Sequence, residues 1–180
     1  MTAARLPGDR SADADLARIL RVDHAGEYGA TRIYAGQLAV LGHSRRAGAF
    51  HHMAATEQRH LAAFEALLRE HRVRPTLLQP LWSAAGWVLG AATALLGEEA
   101  AMACTVAVEE VIDEHYQDQA ERLADEETPL KETILAFRAD ELAHRDLALA
   151  EGAEHTPGYE LLSGAIKAGS RLAIWLSTRL

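Results

Sequence analysis

Two Glu-x-x-His pairs constrain this chain more than any other feature of its sequence. Glu57-Gln-Arg-His60 and Glu141-Leu-Ala-His144 both lie within helical patterns of apolar residues. Residues three apart on an α-helix project from the same face, so each pair offers one carboxylate and one imidazole to a single metal ion. One such pair is more often part of a solvated helix surface. Two pairs on two helices are typical of dinuclear carboxylate bundles, which also require one inward glutamate from each of two further helices.

The two further glutamates are present, and they repeat. Glu27 precedes Glu57 by 30 residues (57 − 27), and Glu109 precedes Glu141 by 32 (141 − 109). Two tyrosines repeat as well, each two helical turns after these glutamates: Tyr34 and Tyr116. The spacing predicts a duplicated helical hairpin that brings four Glu and two His side chains to one dinuclear metal centre.

Apolar periodicity predicts an all-α chain. The expected helices cover about residues 13–41, 46–70, 81–97, 98–124, 129–152 and 159–179, with Ser11 or Asp13 capping the first and Thr128 capping the fifth. A chain of 180 residues is long enough for one domain with its own core, predicted over residues 13–180 after a flexible segment 1–12.

Charge and cysteine content exclude some classes of protein. The net charge of −8 leaves no basic stripe to neutralise phosphates, so nucleic acid is not an expected partner. The lone Cys104 suits a reducing compartment, and the first residues lack the apolar core of a secretory signal. These features predict a cytosolic protein.

The stretch 75–97 carries no charged residue, and three interpretations compete for it. Pro75 and Pro80 leave only residues 81–97 as uninterrupted helix, which is short for a transmembrane span. A buried crossover helix is the second interpretation. The third, which we favour, places this helix against a membrane surface or a partner, with Trp82 and Trp87 at headgroup depth and the apolar surface continuing to residue 108. The basic, Trp-containing last helix fits the same surface or a cap on the bundle.

Several residues near the predicted ligands have open roles. Gly26 and Gly29 provide either close helix packing or free space beside Glu27. Asp23 and Asp113 are candidates to accept the second N–H of a ligating histidine. His24 is expected to lie on the surface or beside the metal site without ligating it. The spacing of Gly86 and Gly90 suits close helix approach.

Three segments closely resemble the demethoxyubiquinone hydroxylases of ubiquinone biosynthesis. They are V-D-H-A-G-E-Y-G-A-T-R-I-Y-A-G-Q (22–37), L-L-G-E-E-A-A-M-A-C-T-V-A-V-E-E-V-I-D-E-H-Y (95–116) and D-E-L-A-H-R-D (140–146). The resemblance implies a ferritin-like four-helix bundle with two additional apolar or amphipathic helices. It also implies a di-iron monooxygenase that adds one oxygen atom from O₂ to the ring of a polyprenylated quinone precursor.

The resemblance assigns roles to matching residues. The residues matching the family's iron ligands are Glu27, Glu57, His60, Glu109, Glu141 and His144. His115 and Tyr116 match an H-Y pair implicated in passing electrons from NADH to two iron ions. Arg145 departs from the family, in which many members have a second histidine there.

The resemblance also implies a setting. The family is peripheral to the membrane, so we expect the cytoplasmic face of a bacterial inner membrane, with possible accessory proteins of ubiquinone biosynthesis and a possible homo-oligomer. Two other functions stay open at this stage: a ferritin-like ferroxidase or iron-storage subunit, and a quinone-binding module with a structural metal.

Overall fold

The computed structural model describes residues 11–123 and 129–180. Within them the chain is all-α and consistent with a ferritin-like bundle, which confirms the predicted fold class. The six α-helices are α1 (Ala12–Leu41), α2 (Ala47–Glu70), α3 (Gln79–Leu95), α4 (Glu98–Arg122), α5 (Pro129–Ala150) and α6 (Tyr159–Ser177), and a short 3-10 helix spans Ala153–His155. The predicted cap Thr128 and residues 1–10 of the predicted flexible segment lie outside the described residues.

Local sequence determines where the helices start. Ser11 caps α1, because its side-chain oxygen accepts a hydrogen bond from the Ala14 backbone N–H at 3.2 Å. Gly97 separates α3 from α4 with a φ of 123°, a conformation that side chains rarely adopt. The corner therefore needs glycine.

The internal repeat includes three helices in each half, one more than the sequence predicts. The hairpins α1–α2 and α4–α5 are the predicted pairs, but α3 packs back onto α1 just as α6 packs back onto α4. A hydrogen bond from Trp82 Nε1 to Ser177 Oγ, 2.9 Å long, joins the start of α3 to the end of α6. The outer helices share too little sequence for the repeat to be visible in the chain itself.

Glycines bring the backbones of α1 and α3 into direct contact. A Cβ atom on Gly86 would lie 2.9 Å from the Gly29 carbonyl oxygen, and one on Gly90 would overlap the Ile33 carbonyl oxygen. On the facing helix, a Cβ on Gly36 would overlap the Trp87 carbonyl oxygen. We call these three glycines, Gly36, Gly86 and Gly90, the glycine seam. The predicted close approach at Gly86 and Gly90 is confirmed.

The first half of α4 is core and not surface. All residues from Ala100 to Val108 are buried, so the prediction that the apolar surface continues to residue 108 is wrong. Helices α3, α5 and α6 all pack against α4 and enclose it. Apolarity alone cannot distinguish a helix enclosed by neighbours from one that faces lipid.

Outward apolar side chains remain on α3 and α6. The side chains that are at least two-fifths exposed are Leu81, Trp87, Val88, Leu95, Leu161, Leu172 and Trp175. In the described part of the chain, none of the helices combines the length and apolarity needed to cross a bilayer. One face of α3 packs on α1, as the crossover interpretation expects, and its other face is exposed.

The basic residues of α6 are already paired. Lys167 forms an ion pair with Glu110 of α4, and Arg171 with Glu114 at 2.9 Å. Arg179 donates to the Trp175 carbonyl oxygen and lies over its ring at 4.0 Å. Lys167 and Arg171 of α6, and Arg179 just beyond it, therefore each have a partner within the protein, although the Arg171 side chain remains 53% exposed.

Candidate metal centre

The four bundle helices bring all six predicted ligands to one buried centre. Among the described residues, ligand atoms within 4.8 Å of one another form two groups: Glu27, Glu57, His60 and Glu141, and Glu57, Glu109, Glu141 and His144. Each of these six side chains is at most 3% exposed. Helices α1 and α4 contribute one glutamate each, and α2 and α5 contribute one Glu-x-x-His pair each.

Buried polar atoms in this centre lack hydrogen-bond partners. They are Glu27 Oε2, both carboxylate oxygens of Glu57 and Glu141, Glu109 Oε2, and the Nδ1 atoms of His60 and His144. They nevertheless lie close together: His60 Nδ1 is 3.1 Å from Glu141 Oε1, and His144 Nδ1 is 3.0 Å from Glu57 Oε1. Buried polar groups normally have partners, and metal coordination is the interaction that would satisfy this set.

Two of the glutamates belong to both groups. Glu57 and Glu141 appear in each group, and neither has an oxygen engaged elsewhere. Glu27 and Glu109 each belong to one group and have one oxygen bonded to a tyrosine. Each group could hold one metal ion, and Glu57 and Glu141 would be available to both ions.

The tyrosines cross between the halves of the repeat. Tyr34 donates its hydroxyl to Glu109 Oε1 at 2.7 Å, and Tyr116 donates to Glu27 Oε1. Burial, together with the nearby carboxylates, raises the pKa of both phenols, so each hydroxyl keeps its proton. Each bond fixes one carboxylate oxygen and leaves the other directed at the centre.

Burial makes this cluster electrostatically costly without a cation. Burial, reinforced by neighbouring carboxylates, raises the pKa of Glu27, Glu57 and Glu109. Burial alone would raise the pKa of Glu141 too, but the nearby imidazoles of His144 and His60 hold it at about 2. For His60, burial lowers the pKa, and the carboxylates of Glu141 and Glu27 more than offset this and raise it to about 10. Four carboxylates and two divalent ions carry about −4 and +4, so two metal ions would neutralise the centre.

A second polar network reaches from this region towards the surface. His115 Nε2 lies 3.2 Å from Asp23 Oδ1, and Gln119 Nε2 donates to the same oxygen at 2.7 Å. Burial raises the pKa of Asp23, while the bonds from His115 and Gln119 act to lower it. The His115 side chain is 19% exposed, whereas its neighbour Tyr116 is buried and bonds Glu27.

The predicted roles of Asp23 and Asp113 as histidine partners inside the centre are wrong. Asp23 bonds His115, and Asp113 lies 2.6 Å from Arg138 Nε. The carboxylate that does reach a predicted ligand is Asp140, whose Oδ2 lies 3.0 Å from His60 Nε2. In the sequence, Asp140 is distinguished only by its position directly before Glu141 in D-E-L-A-H. Because adjacent residues on a helix point about 100° apart, that position does not predict a contact with the metal centre. Only the crossing of α2 over α5 brings Asp140 to His60.

The structure also gives the surroundings of the other residues whose roles the sequence leaves open. His24 is buried, contrary to the surface alternative, and stacks on Tyr28 with ring centroids 6.3 Å apart; it belongs to neither ligand group. Arg145 pairs with the exposed Asp146 at 2.7 Å. A Cβ built on Gly26 or Gly29 meets no atom within 4 Å. Both side-chain positions therefore border open space, although the Gly29 carbonyl oxygen also lies against Gly86 of α3. Use of the open space by O₂ or a substrate ring stays a prediction.

The sequence matches the model of one known protein family over most of its length. The family model described as "Ubiquinone biosynthesis protein COQ7" matches residues 14–177. The chain belongs to this family.

Within the family, curated relatives from distant organisms align over most of their length. The 3-demethoxyubiquinol 3-hydroxylase of Rhodospirillum rubrum is 61% identical over 176 residues, covering 97% of this chain and 83% of that protein. The human mitochondrial NADPH-dependent 3-demethoxyubiquinone 3-hydroxylase is 51% identical, with 96% and 81% covered. The mitochondrial 5-demethoxyubiquinone hydroxylase of Saccharomyces cerevisiae is 41% identical, with 93% and 79% covered.

Proposed function

We propose that this chain is a di-iron monooxygenase that hydroxylates the ring of a demethoxyubiquinone or demethoxyubiquinol intermediate in ubiquinone biosynthesis. The observation that carries the proposal is the buried set of four glutamates and two histidines with unpartnered atoms. It lies in a chain that belongs to a ubiquinone-biosynthesis family and is 61% identical to a relative named for this hydroxylation.

The residues divide the work of holding two iron ions. Glu27 with His60 would hold one ion, and Glu109 with His144 the other, with Glu57 and Glu141 between them. Carboxylate and imidazole donors with open positions favour iron or manganese, and two bound iron ions supply dioxygen activation. The hydroxyls of Tyr34 and Tyr116 orient the carboxylates and stay protonated.

The reaction balances with one dioxygen and one reductant. A ring C–H bond becomes C–OH with one oxygen atom of O₂, and the other atom leaves as water with two electrons and two protons. The sequence resemblance suggests NADH as donor, whereas the human relative is named as NADPH-dependent. A nicotinamide dinucleotide is therefore the proposed class of reductant. The network of His115 and Asp23 is the proposed route from the surface.

The isoprenoid tail requires an apolar lining, and we propose the cleft beside the start of α6. This cleft of about 740 Å³ lies between the α1–α2 loop, the start of α4 and the start of α6. Its apolar residues include Leu96, Leu161 and Leu162, and the charged residues Arg45, Arg46, Glu98 and Glu99 also line it. Exposed apolar side chains on both helices support contact with a membrane surface. We propose a peripheral location at the cytoplasmic face of a bacterial inner membrane, with accessory proteins of ubiquinone biosynthesis and a second copy of the chain as candidate partners.

The test is product analysis by mass spectrometry. Purified protein is loaded with ferrous iron and given a short-tailed demethoxyubiquinone, ¹⁸O-labelled dioxygen and either NADH or NADPH. The expected product gains one labelled oxygen atom. The Glu141→Ala variant removes a carboxylate common to both metal groups, so it should bind less iron and form no labelled product.

One control variant and one contradicting outcome make the result decisive. Asp146→Ala alters an exposed carboxylate on the same helix and should form product as the wild type does. Two iron ions per chain, oxidised by O₂ without label in the quinone under both reductants, would contradict the hydroxylase and favour a ferroxidase.

A further inference from the structure

The two histidines of the metal centre differ in what holds their outer nitrogen. His60 directs Nδ1 towards the carboxylates and has Asp140 Oδ2 at 3.0 Å from Nε2. His144 also directs Nδ1 inwards. Among residues 11–123 and 129–180, however, no side chain forms a hydrogen bond with His144 Nε2. The two halves of the repeat are therefore unequal at this point.

The sequence explains the difference. Asp140 directly precedes Glu141, and the residue in the same position before Glu57 is Thr56. The Thr56 hydroxyl is neutral and accepts a hydrogen bond from Arg59 Nη2 at 2.9 Å. The other half of the repeat thus has a neutral hydroxyl in place of a carboxylate.

The ring environments differ in the same direction. Phe137 stacks on His60 with ring centroids 3.9 Å apart, which holds the imidazole plane. The rings next to His144 are those of Tyr34 and the exposed His52, both at 6.4 Å and edge-on. His60 is therefore fixed by a bond and a stack, and His144 by looser contacts.

Physical chemistry connects this difference to metal affinity. In this centre both imidazoles direct Nδ1 inwards, so a metal ion would bind the lone pair of Nδ1 and the imidazole proton would be on Nε2. A carboxylate that accepts this proton fixes the tautomer and ring orientation and makes the ligand more basic. Loss of such a partner typically weakens metal binding by about 10- to 100-fold.

We infer that the two metal positions are unequal, and that the position at His60 binds a divalent ion more tightly than the position at His144 and fills first. Asp140 is the positioning residue responsible. The inference rests on the proposed dinuclear centre and adds an order of occupancy to it.

Anaerobic titration of the apoprotein with Fe²⁺ against a chromophoric chelator measures both affinities. The wild type should bind two ions in two steps. Asp140→Ala should weaken the first, tighter step by about 10- to 100-fold, and Asp140→Asn, which keeps an acceptor oxygen, should restore part of the loss. The control Asp146→Ala should change neither step.

The binding step that Asp140→Ala weakens distinguishes two explanations of two-step binding: metal positions of unequal affinity, and equal positions whose bound ions repel each other. If the positions were equal, Asp140→Ala would leave the first ion's affinity unchanged and weaken only the second, since the intact position would fill first. Mössbauer spectra with one equivalent of ⁵⁷Fe²⁺ add a second readout: the wild type should show one ferrous environment, which Asp140→Ala changes.

The remaining outcomes are also distinct. An unchanged first step in Asp140→Ala, or an equal loss in both steps, would overturn the inequality and leave the dinuclear centre intact. Failure of the wild type to bind two ions would overturn the inequality and the proposed function together.

Discussion

Glu109 shows at the level of one residue how a metal centre reduces the stability of the fold that contains it. Burial and, after it, the nearby Glu141 carboxylate raise the pKa of Glu109, and among the described residues only Tyr34 donates a hydrogen bond to it. Natural functional sites commonly retain such unfavourable groups. Removing the charge should therefore stabilise the apoprotein.

This leads to a pH-dependent prediction for Glu109→Gln. Because the folded-state pKa of Glu109 lies above its unfolded value, the folded apoprotein binds this proton more tightly than the unfolded chain does. The wild type then loses stability as pH rises from about 5 towards the raised pKa, and the variant avoids this loss. Urea unfolding of both apoproteins at about pH 5 and pH 8 should show a stability gain that grows with pH. A gain independent of pH would show that the carboxylate charge is not its cause.

Asp23 permits a separate prediction about electron delivery. Asp23→Asn removes the charge beside His115 but preserves the shape of the side chain. We expect slower reduction of the iron by the nicotinamide, with normal product formation when dithionite reduces the protein. Stopped-flow absorbance under both reductants measures this. Asp113→Asn, whose partner is Arg138, is the matched control. Equal slowing with both reductants would contradict the proposed route.

At the level of the helices, the glycines on α1 and α3 fall into two kinds. Those of the glycine seam allow two backbones to touch, whereas a Cβ on Gly26 would meet no atom within 4 Å. The two kinds should respond in opposite directions to the same substitution.

Gly90→Ala and Gly26→Ala form a matched pair. The first adds a methyl group that overlaps the Ile33 carbonyl oxygen, so unfolding free energy should fall by about 1–3 kcal/mol. The second adds a methyl group in free space within a helix and should raise it by about 0.5–1 kcal/mol. Urea titration measures both changes.

The kcat/KM of Gly26→Ala tests whether the reaction uses the open space at Gly26. If the substrate ring or O₂ uses it, Gly26→Ala should lower kcat/KM even though the fold becomes more stable. Unchanged kcat/KM would show that the space beside Glu27 has no part in the reaction.

The helices and the convergence of six side chains could be read from the sequence, because both depend on helical periodicity. Spacing along one helix fixes which residues share a face, as for Glu57 and His60. It does not fix how one helix is rotated against another. For that reason the sequence alone does not identify Asp140 as a partner of His60, does not give the partners of Asp23 and Asp113, and does not show that the first half of α4 is enclosed.

At the scale of the whole molecule, the outer helices α3 and α6 present apolar side chains on a protein with a net charge of −8. Lys167 and Arg171 are paired with glutamates of α4. Any attachment to a lipid surface should thus depend on apolar contact more than on charge.

Leu161→Glu tests this attachment. Leu161 is 81% exposed, so the substitution should leave unfolding unchanged while it weakens binding to phospholipid vesicles by on the order of tenfold. Vesicle co-sedimentation at low and high salt should show little effect of salt on the wild type. Leu135→Glu, on α5, is the control, since Leu135 is also exposed but lies away from the outer helices. Equal losses in both variants would contradict attachment through α3 and α6.

The glycine seam has a mechanical consequence. Side chains can change rotamer to absorb a shift between helices, but two backbones in contact cannot. Because Ile33 meets Gly90 six residues beyond Glu27 on the same helix, a force on the outer face of α3 is transmitted to α1 without slack. We therefore expect any displacement of α3 to shift Glu27 on α1 with it.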